Sequence, residues 1–409
     1  MVKSAGAILE DSKEKMITAR CMVCNSLEVK MFIELSGQPV HCNRLCSTRM
    51  EALNAALGEV KLAYCSNCSH VFNLVFRPEL MTYDANYENS LHFSPRFQTY
   101  AESIATRLAE KYRLHDKDII EIGCGQGEFL TLLCEGGDNR GLGFDRSYGP
   151  VKKNADSQSK IKFIGEDYTE RYANCQADFI CCRHVLEHIH NPRDFLRGLR
   201  RTIGERLETV VFFEVPNLLF MIRDLSVWDI IYEHCAYYSK SSLVHLFVEC
   251  GFNVLNITEE FEGQFLSIEA APGDDLRSNS FTHSEEGWDT ATEIKSIGQD
   301  IENFAKSYQS KLDDHRTKLQ AAGGRTVVWG AGSKGITFLN TLQIKDEIEY
   351  VVDLNPRKQG MYIAGTGQKI IPPEMLVDYQ PSSVIVMNPI YKSEIQKIID
   401  GFGLTADLI

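Results

Sequence analysis

Asp118-Ile-Ile-Glu-Ile-Gly-Cys-Gly-Gln-Gly127 is the stretch on which the fold turns. Its first half carries Ile119, Ile120 and Ile122, an apolar run broken only by Glu121, as expected of a strand buried inside a parallel sheet. Glycines at 123, 125 and 127 then let the backbone bend tightly and admit a ligand against the strand end, where an open α/β sheet has its crevice. Their spacing is GxGxG, whereas the dinucleotide fingerprint is GxGxxG. A helix's length later, Gly141-Leu-Gly-Phe-Asp145 ends a second strand in an acid placed to accept hydrogen bonds from ribose hydroxyls. A third short apolar run, Ile161–Ile164, leads to Glu166-Asp167, suited to an adenine edge. A fourth, 178–182, leads to Arg183-His184-Val-Leu-Glu-His188, and a fifth covers 209–215. Strands alternating with helices imply a parallel sheet wrapped by helices.

Upstream, a helix is expected after Pro95, because Phe97, Tyr100, Ile104, Leu108 and Tyr112 recur at three or four residues and share one face. Further toward the N-terminus the chain lacks long helical periods and carries Cys21-Met-Val-Cys24 and Cys65-Ser-Asn-Cys68. Two such knuckles offer four thiolates for tetrahedral zinc. An all-thiolate site leaves no open coordination position and is structural. Cys42 and Cys46 lie between them at a spacing that suits the metal less well. Downstream, Trp288, Ile294, Ile297, Ile301, Phe304, Tyr308 and Leu312 mark a long helix over 284–319, ended by Gly323 and Gly324. Beyond it Val327-Val-Trp-Gly-Ala-Gly-Ser-Lys-Gly335, followed by Tyr350-Val-Val-Asp353, satisfies the GxGxxG pattern after a strand with an acid about 20 residues on. That pattern alone suggests an NAD-dependent oxidoreductase, yet the remaining length has room for one strand-helix-strand unit, half of a dinucleotide fold.

With 409 residues and 44% hydrophobic content, the chain is too long for one core and reads as two or three domains. A net charge of -13 argues against a nucleic-acid partner, because phosphate binding rests on lysine and arginine. No apolar run reaches the ~18 residues of a spanning helix and no signal-peptide pattern opens the chain, so no membrane partner and a cytoplasmic location are expected. The 13 cysteines are odd in number, and a disulfide framework does not suit a large protein of that compartment.

Trp228-Asp-Ile-Ile-Tyr-Glu-His-Cys-Ala-Tyr-Tyr-Ser239 is the most reactive-looking segment. A histidine there can remove a proton next to a ketone while a carboxylate or phenol orients it, although adjacent residues can point in opposite directions.

The glycine turn, Asp145 and Asp167 resemble class I S-adenosylmethionine-dependent methyltransferases, and a sulfonium cofactor suits acidic surroundings. Glu121, Gly123, Gly125, Asp145 and Asp167 match that family's cofactor positions, with Gly127 completing the turn. The whole chain resembles the sugar C-methyltransferases. This implies α/β architecture: a zinc-binding module at 1–77, a class I Rossmann-like methyltransferase core at 78–283, a bridging helix at 284–322 and a Rossmann-like substrate-binding domain at 323–409. The resemblance implies a nucleotide-linked ketosugar substrate, with His234 as base paired with Glu233. Tyr232 and His188 fall at further active-site positions, and Tyr83, Tyr87, Tyr237 and Lys334 are candidates for substrate contact, Lys334 through a phosphate. The family's tyrosine stands one residue further from the glutamate than Tyr232 does. Its Gly-Gly-Ser-like turn followed by arginine is replaced here by Glu262-Gly-Gln-Phe-Leu-Ser-Ile-Glu269. The rivals are an O- or N-methyltransferase of another small metabolite, an NAD-dependent oxidoreductase and a catalytically inert scaffold.

Overall fold

The computed structural model describes residues 19–84, 86–148, 160–273, 289–322 and 325–409. In chain order its strands are β1 Val29–Pro39, β2 Leu57–Cys65, β3 Val71–Asn73, β4 Asp118–Ile122, β5 Arg140–Phe144, β6 Ile161–Ile164, β7 Phe179–Arg183 and β8 Val210–Pro216. They continue with β9 Ala236–Tyr237, β10 Phe252–Glu260, β11 Phe265–Pro272, β12 Thr326–Trp329, β13 Tyr350–Val352, β14 Lys369–Ile371, β15 Ser383–Val386 and β16 Asp407–Leu408.

The central sheet has the order β10-β11-β8-β7-β4-β5-β6. Strands β4 to β8 are parallel, and the β10–β11 hairpin closes one edge antiparallel to β8. The chain runs outward from β4 through β5 to β6 and then returns to β7 on the other side of β4. The carboxyl ends of β4 and β7 therefore flank a switch point, where the loops after adjacent strands part and leave a crevice. β4, β5 and β6 have the expected bounds, while β7 and β8 each begin and end one residue later than the apolar runs suggest. Asp178 ties the start of β7 to that of β4 instead: its Oδ2 accepts from the Asp118 N–H at 2.9 Å.

The helix Pro95–Tyr112 packs on this sheet through Phe97, Ala101, Ile104, Ala105 and Leu108. Ser94 caps it by accepting from the Phe97 N–H, Pro95 occupies the first turn, and Arg113 closes it in the left-handed region at φ 50°. The long helix covers Thr290–Ala322 and buries Ile297, Ile301, Phe304, Tyr308 and Leu312. Trp288, Gly323 and Gly324 lie outside the described residues.

The N-terminal sheet has the order β1-β2-β3-β9, so its last strand comes from the segment that carries His234. The C-terminal sheet corrects the expectation of half a dinucleotide fold. It is five-stranded and wholly parallel, in the order β14-β13-β12-β15-β16, with its own reversal beside β12. Strands as short as β14 and β16 carry too few residues to show a pattern in sequence.

Candidate active site

One cavity of about 680 Å³ joins the crevice of the central sheet to that of the C-terminal sheet. On the first side its wall includes Glu121, Gly123, Gly125, Asp145 and Asp167. The Gly125 N–H donates to Asp145 Oδ2 at 2.8 Å, and Ser147 donates to the other carboxylate oxygen through its N–H at 2.7 Å and its hydroxyl at 2.6 Å. Gly125 sits at φ 53° with nothing within 4 Å of where a Cβ would stand, so the loop leaves open space above the strand end. Gly127 is absent from the wall. A Cβ there would fall 2.3 Å from the Phe163 ring, so packing is what requires this glycine. Glu121 accepts from the Leu130 N–H at 2.9 Å, and burial pushes its carboxyl up to about 8 against the opposing charge of Arg183. Asp167 is ion-paired with Arg146.

In the middle of the cavity the structure separates three consecutive residues that the sequence groups together. Tyr232 points away from it: its hydroxyl accepts from the Arg77 N–H at 3.2 Å and its ring packs on Phe76. Glu233 also turns its carboxylate elsewhere, accepting from the Cys42 N–H at 2.6 Å and from the Tyr87 hydroxyl at 2.8 Å. Burial raises the Glu233 carboxyl, against the lowering effect of these bonds. His234 alone of the three lines the cavity. Its ring stands 4.9 Å from that of His188, nearly perpendicular at 84°. Enclosure, with His188, His184 and Lys334 adding like charge, holds His234 well below the usual histidine range. His188 is held at about 4, chiefly by burial, and its Nδ1 lies 3.2 Å from the Tyr83 hydroxyl and 3.0 Å from the Glu233 carbonyl oxygen. Burial thus favours the neutral form of both imidazoles. Tyr83 and Tyr87 meet edge to face at 5.0 Å, while the Tyr237 hydroxyl is engaged with the Ile231 backbone.

The far wall is the turn Gly330–Gly335 at the end of β12. A Cβ on Gly335 would fall 2.0 Å from the Gly330 carbonyl oxygen, so this glycine lets the following helix close on the strand. Asp353 accepts from the Ala331 N–H at 2.8 Å, which repeats the Asp145–Gly125 arrangement of the first side. Lys334 reaches the cavity but is ion-paired with Asp229. Sequence reasoning missed Asp229, and it missed the clasp in which Glu88 accepts from Asn355 Nδ2 at 3.0 Å and pairs with Arg357 at 2.8 Å. Arg183 and Glu187 stood out in sequence only as parts of a motif. Their place at the carboxyl end of a central parallel strand, Arg183 as its last residue and Glu187 in the loop that follows, is the signal that marks both.

Away from the cavity, the Cys21 and Cys68 sulfurs lie 3.6 Å apart and those of Cys24 and Cys65 3.5 Å apart, and all four fall within 4.8 Å of one another. A tetrahedral zinc with bonds of about 2.3 Å places its sulfurs roughly 3.8 Å apart, so the set fits the metal. Cys42 and Cys46 stand outside the cluster; Cys42 packs beside Glu233.

A methyltransferase-domain family model matches residues 93–257, and a C-methyltransferase C-terminal-domain model matches residues 280–403. The chain is 24% identical to the C-methyltransferase NovU of Streptomyces niveus over 396 residues, which cover 92% of this chain and 90% of that protein. It is also 33% identical to the tRNA U34 carboxymethyltransferase of Helicobacter pylori (strain G27) over 108 residues, 24% of this chain and 41% of that one. Among solved structures, the magnesium protoporphyrin IX methyltransferase ChlM of Synechocystis PCC 6803 superposes with a TM-score of 0.34 at 14% identity, over 43% of this chain and 84% of its own. No helix among the described residues is long and apolar enough to cross a membrane. With a methyltransferase-domain model on the central sheet, a C-methyltransferase C-terminal-domain model on the C-terminal sheet and similarity to a C-methyltransferase along nearly its whole length, the chain is an S-adenosylmethionine-dependent methyltransferase similar to the C-methyltransferases.

Proposed function

We propose that the enzyme methylates carbon next to the carbonyl of a small keto metabolite, a nucleotide-linked ketosugar foremost, with His234 as the base. The observation that carries this reading is the continuity of the cavity. The glycine turn with Asp145, the neutral His234 and the Gly330–Gly335 turn all open into one space. Glu121, Gly123, Gly125, Asp145 and Asp167 would hold the cofactor, and the Asp145 carboxylate suits its charge. S-adenosylmethionine, when bound, supplies an electrophilic methyl group on a sulfonium sulfur. The opposite turn would hold the nucleotide end of the substrate, with Lys334 reaching a phosphate once it is shared with Asp229. Tyr83 and His188 would line the sugar. Glu233 serves as a positioning residue: through Tyr87 and the 42–43 backbone it fixes the direction in which His234 points. The four cysteines would bind one structural zinc, with module boundaries at 77, 283 and 322 as the sequence suggests.

His234→Ala is expected to lower turnover by about 10²-fold or more, the usual range for a general base, while leaving cofactor affinity unchanged. Mass spectrometry of the product should place the methyl group on carbon. Full activity in this variant, or methyl on oxygen, overturns the reading. Asp145→Ala is expected to weaken S-adenosylhomocysteine binding by roughly 10- to 100-fold, since it removes a charged acceptor worth about 1.5–3 kcal/mol that also pins the Gly125 loop. Isothermal calorimetry reads the change, and an unaltered affinity would place the cofactor elsewhere.

A further inference from the structure

His234 holds a proton weakly, because enclosure and neighbouring cationic groups disfavour its charged form. A weak base can take a carbon-bound proton only where the oxygen that collects the negative charge is firmly held. The hydroxyls of Tyr83, Tyr87 and Tyr237, which line the cavity with it, are committed to His188, Glu233 and Ile231 respectively. Glu187 is not. It lines the cavity and is only 2% exposed, yet its Oε2 is buried without any hydrogen-bond partner. One of its carboxyl oxygens lies within 4.8 Å of ring nitrogens of both His188 and His234.

We propose that Glu187, as the neutral acid, donates a hydrogen bond to the substrate carbonyl oxygen and stabilises the enolate formed when His234 takes the adjacent proton. The inference rests on the C-methylation reading above. In this step the carbon–hydrogen bond breaks and its electron pair becomes the carbon–carbon π bond. The carbonyl π pair moves onto oxygen, and the proton ends on a His234 nitrogen. Glu187 keeps its own proton and shares it with that oxygen.

The surroundings favour the neutral form. Burial, opposed by a backbone N–H and reinforced by the Glu214 carboxylate, pushes Glu187 up to about 8. The groups facing it are Cys182 on β7, Glu214 on β8, Tyr83, Cys235, Tyr238 and the three histidines. No lysine or arginine among the described residues forms an ion pair with it. His184 Nδ1 comes no closer than 3.8 Å, and its Nε2 is paired with Glu214 at 2.8 Å.

The test follows hydrogen exchange from the substrate carbon in D2O, using the full zinc-bound chain with S-adenosylhomocysteine and a thymidine-diphosphate-linked 4-ketosugar. Exchange by the parent protein should fall as pH rises through about 8, where the acid loses its proton. Glu187→Gln keeps a donor that does not titrate, so exchange at pH 7 should stay within about tenfold and the alkaline fall should vanish. Glu187→Leu should lose roughly 10²- to 10³-fold, the usual loss for an oxyanion-holding donor, with S-adenosylhomocysteine affinity intact as evidence of folding. Undiminished exchange in Glu187→Leu, or an alkaline fall that persists in Glu187→Gln, overturns the role of Glu187 and leaves the C-methylation reading standing. A second metal ion per chain that disappears in Glu187→Gln also overturns it, because the three groups would then be metal ligands. Absence of exchange in the parent protein, with methyl found off carbon, overturns both.

Discussion

Replacing Cys68 with serine, or stripping the metal with a chelator, is expected to abolish methyl transfer although none of the four clustered cysteines lines the cavity. Cys65 and Cys68 flank the turn that leads into β3, and β3 pairs with β9, which begins just after His234. The Asn73 N–H donates to the Cys235 carbonyl at 3.0 Å, and the buried Ser69 and Ser239 hydroxyls meet at 2.7 Å. The metal would thus fix the turn, the turn fixes the strand, and the strand fixes the base. Structural zinc contributes about 10–16 kcal/mol in isolated zinc modules. A chain that loses it should lose the β1-β2-β3-β9 sheet before the central one. Circular dichroism, thermal unfolding and metal content read this together with activity. Full turnover by metal-free protein would show that the cysteines hold no necessary zinc.

Much of this architecture was legible because a buried parallel strand followed by glycines leaves a plain trace. β4, β5 and β6 and the start of the helix after Pro95 sit where apolar runs and turn residues put them. The cysteine cluster was legible because two CxxC knuckles can bring four thiolates to one point, as a tetrahedral metal requires. What stayed hidden depends on contacts distant in sequence. β3 and β9 are too short to show alternation and exist because each completes the other's ladder. The different directions of Tyr232, Glu233 and His234 follow from partners at Arg77 and Cys42, which adjacency in sequence cannot supply. The five-stranded C-terminal sheet was underread for the same reason, since β14, β15 and β16 are two to four residues each.

Arg183→Leu is expected to cost about 3–5 kcal/mol of folding stability, because it strands a buried charge. Glu214 is fully buried on β8 and takes Arg183 as its ion pair at 2.9 Å, with Tyr100 and His184 as further partners. Arg183 in turn lies over the Phe129 ring at 4.1 Å and is itself almost completely enclosed. Burial alone would raise the Glu214 carboxyl, but the charge of Arg183 and the bonds from His184 and Tyr100 outweigh it and hold Glu214 at about 2. An unfolded glutamate titrates near 4.3, roughly. Stabilisation from a depressed carboxyl is therefore present in full above that value and is lost as pH falls toward about 2. Urea unfolding of the parent and variant chains should accordingly differ most at neutral pH and converge in acid. The double variant Arg183→Leu, Glu214→Leu should recover much of the loss, since replacing both partners leaves no unpaired charge. A single-variant cost below about 1 kcal/mol, or one unchanged between pH 7 and pH 3, would mean that water or His184 already satisfies Glu214, and that the pair does not brace the strand ends on which the cavity is built.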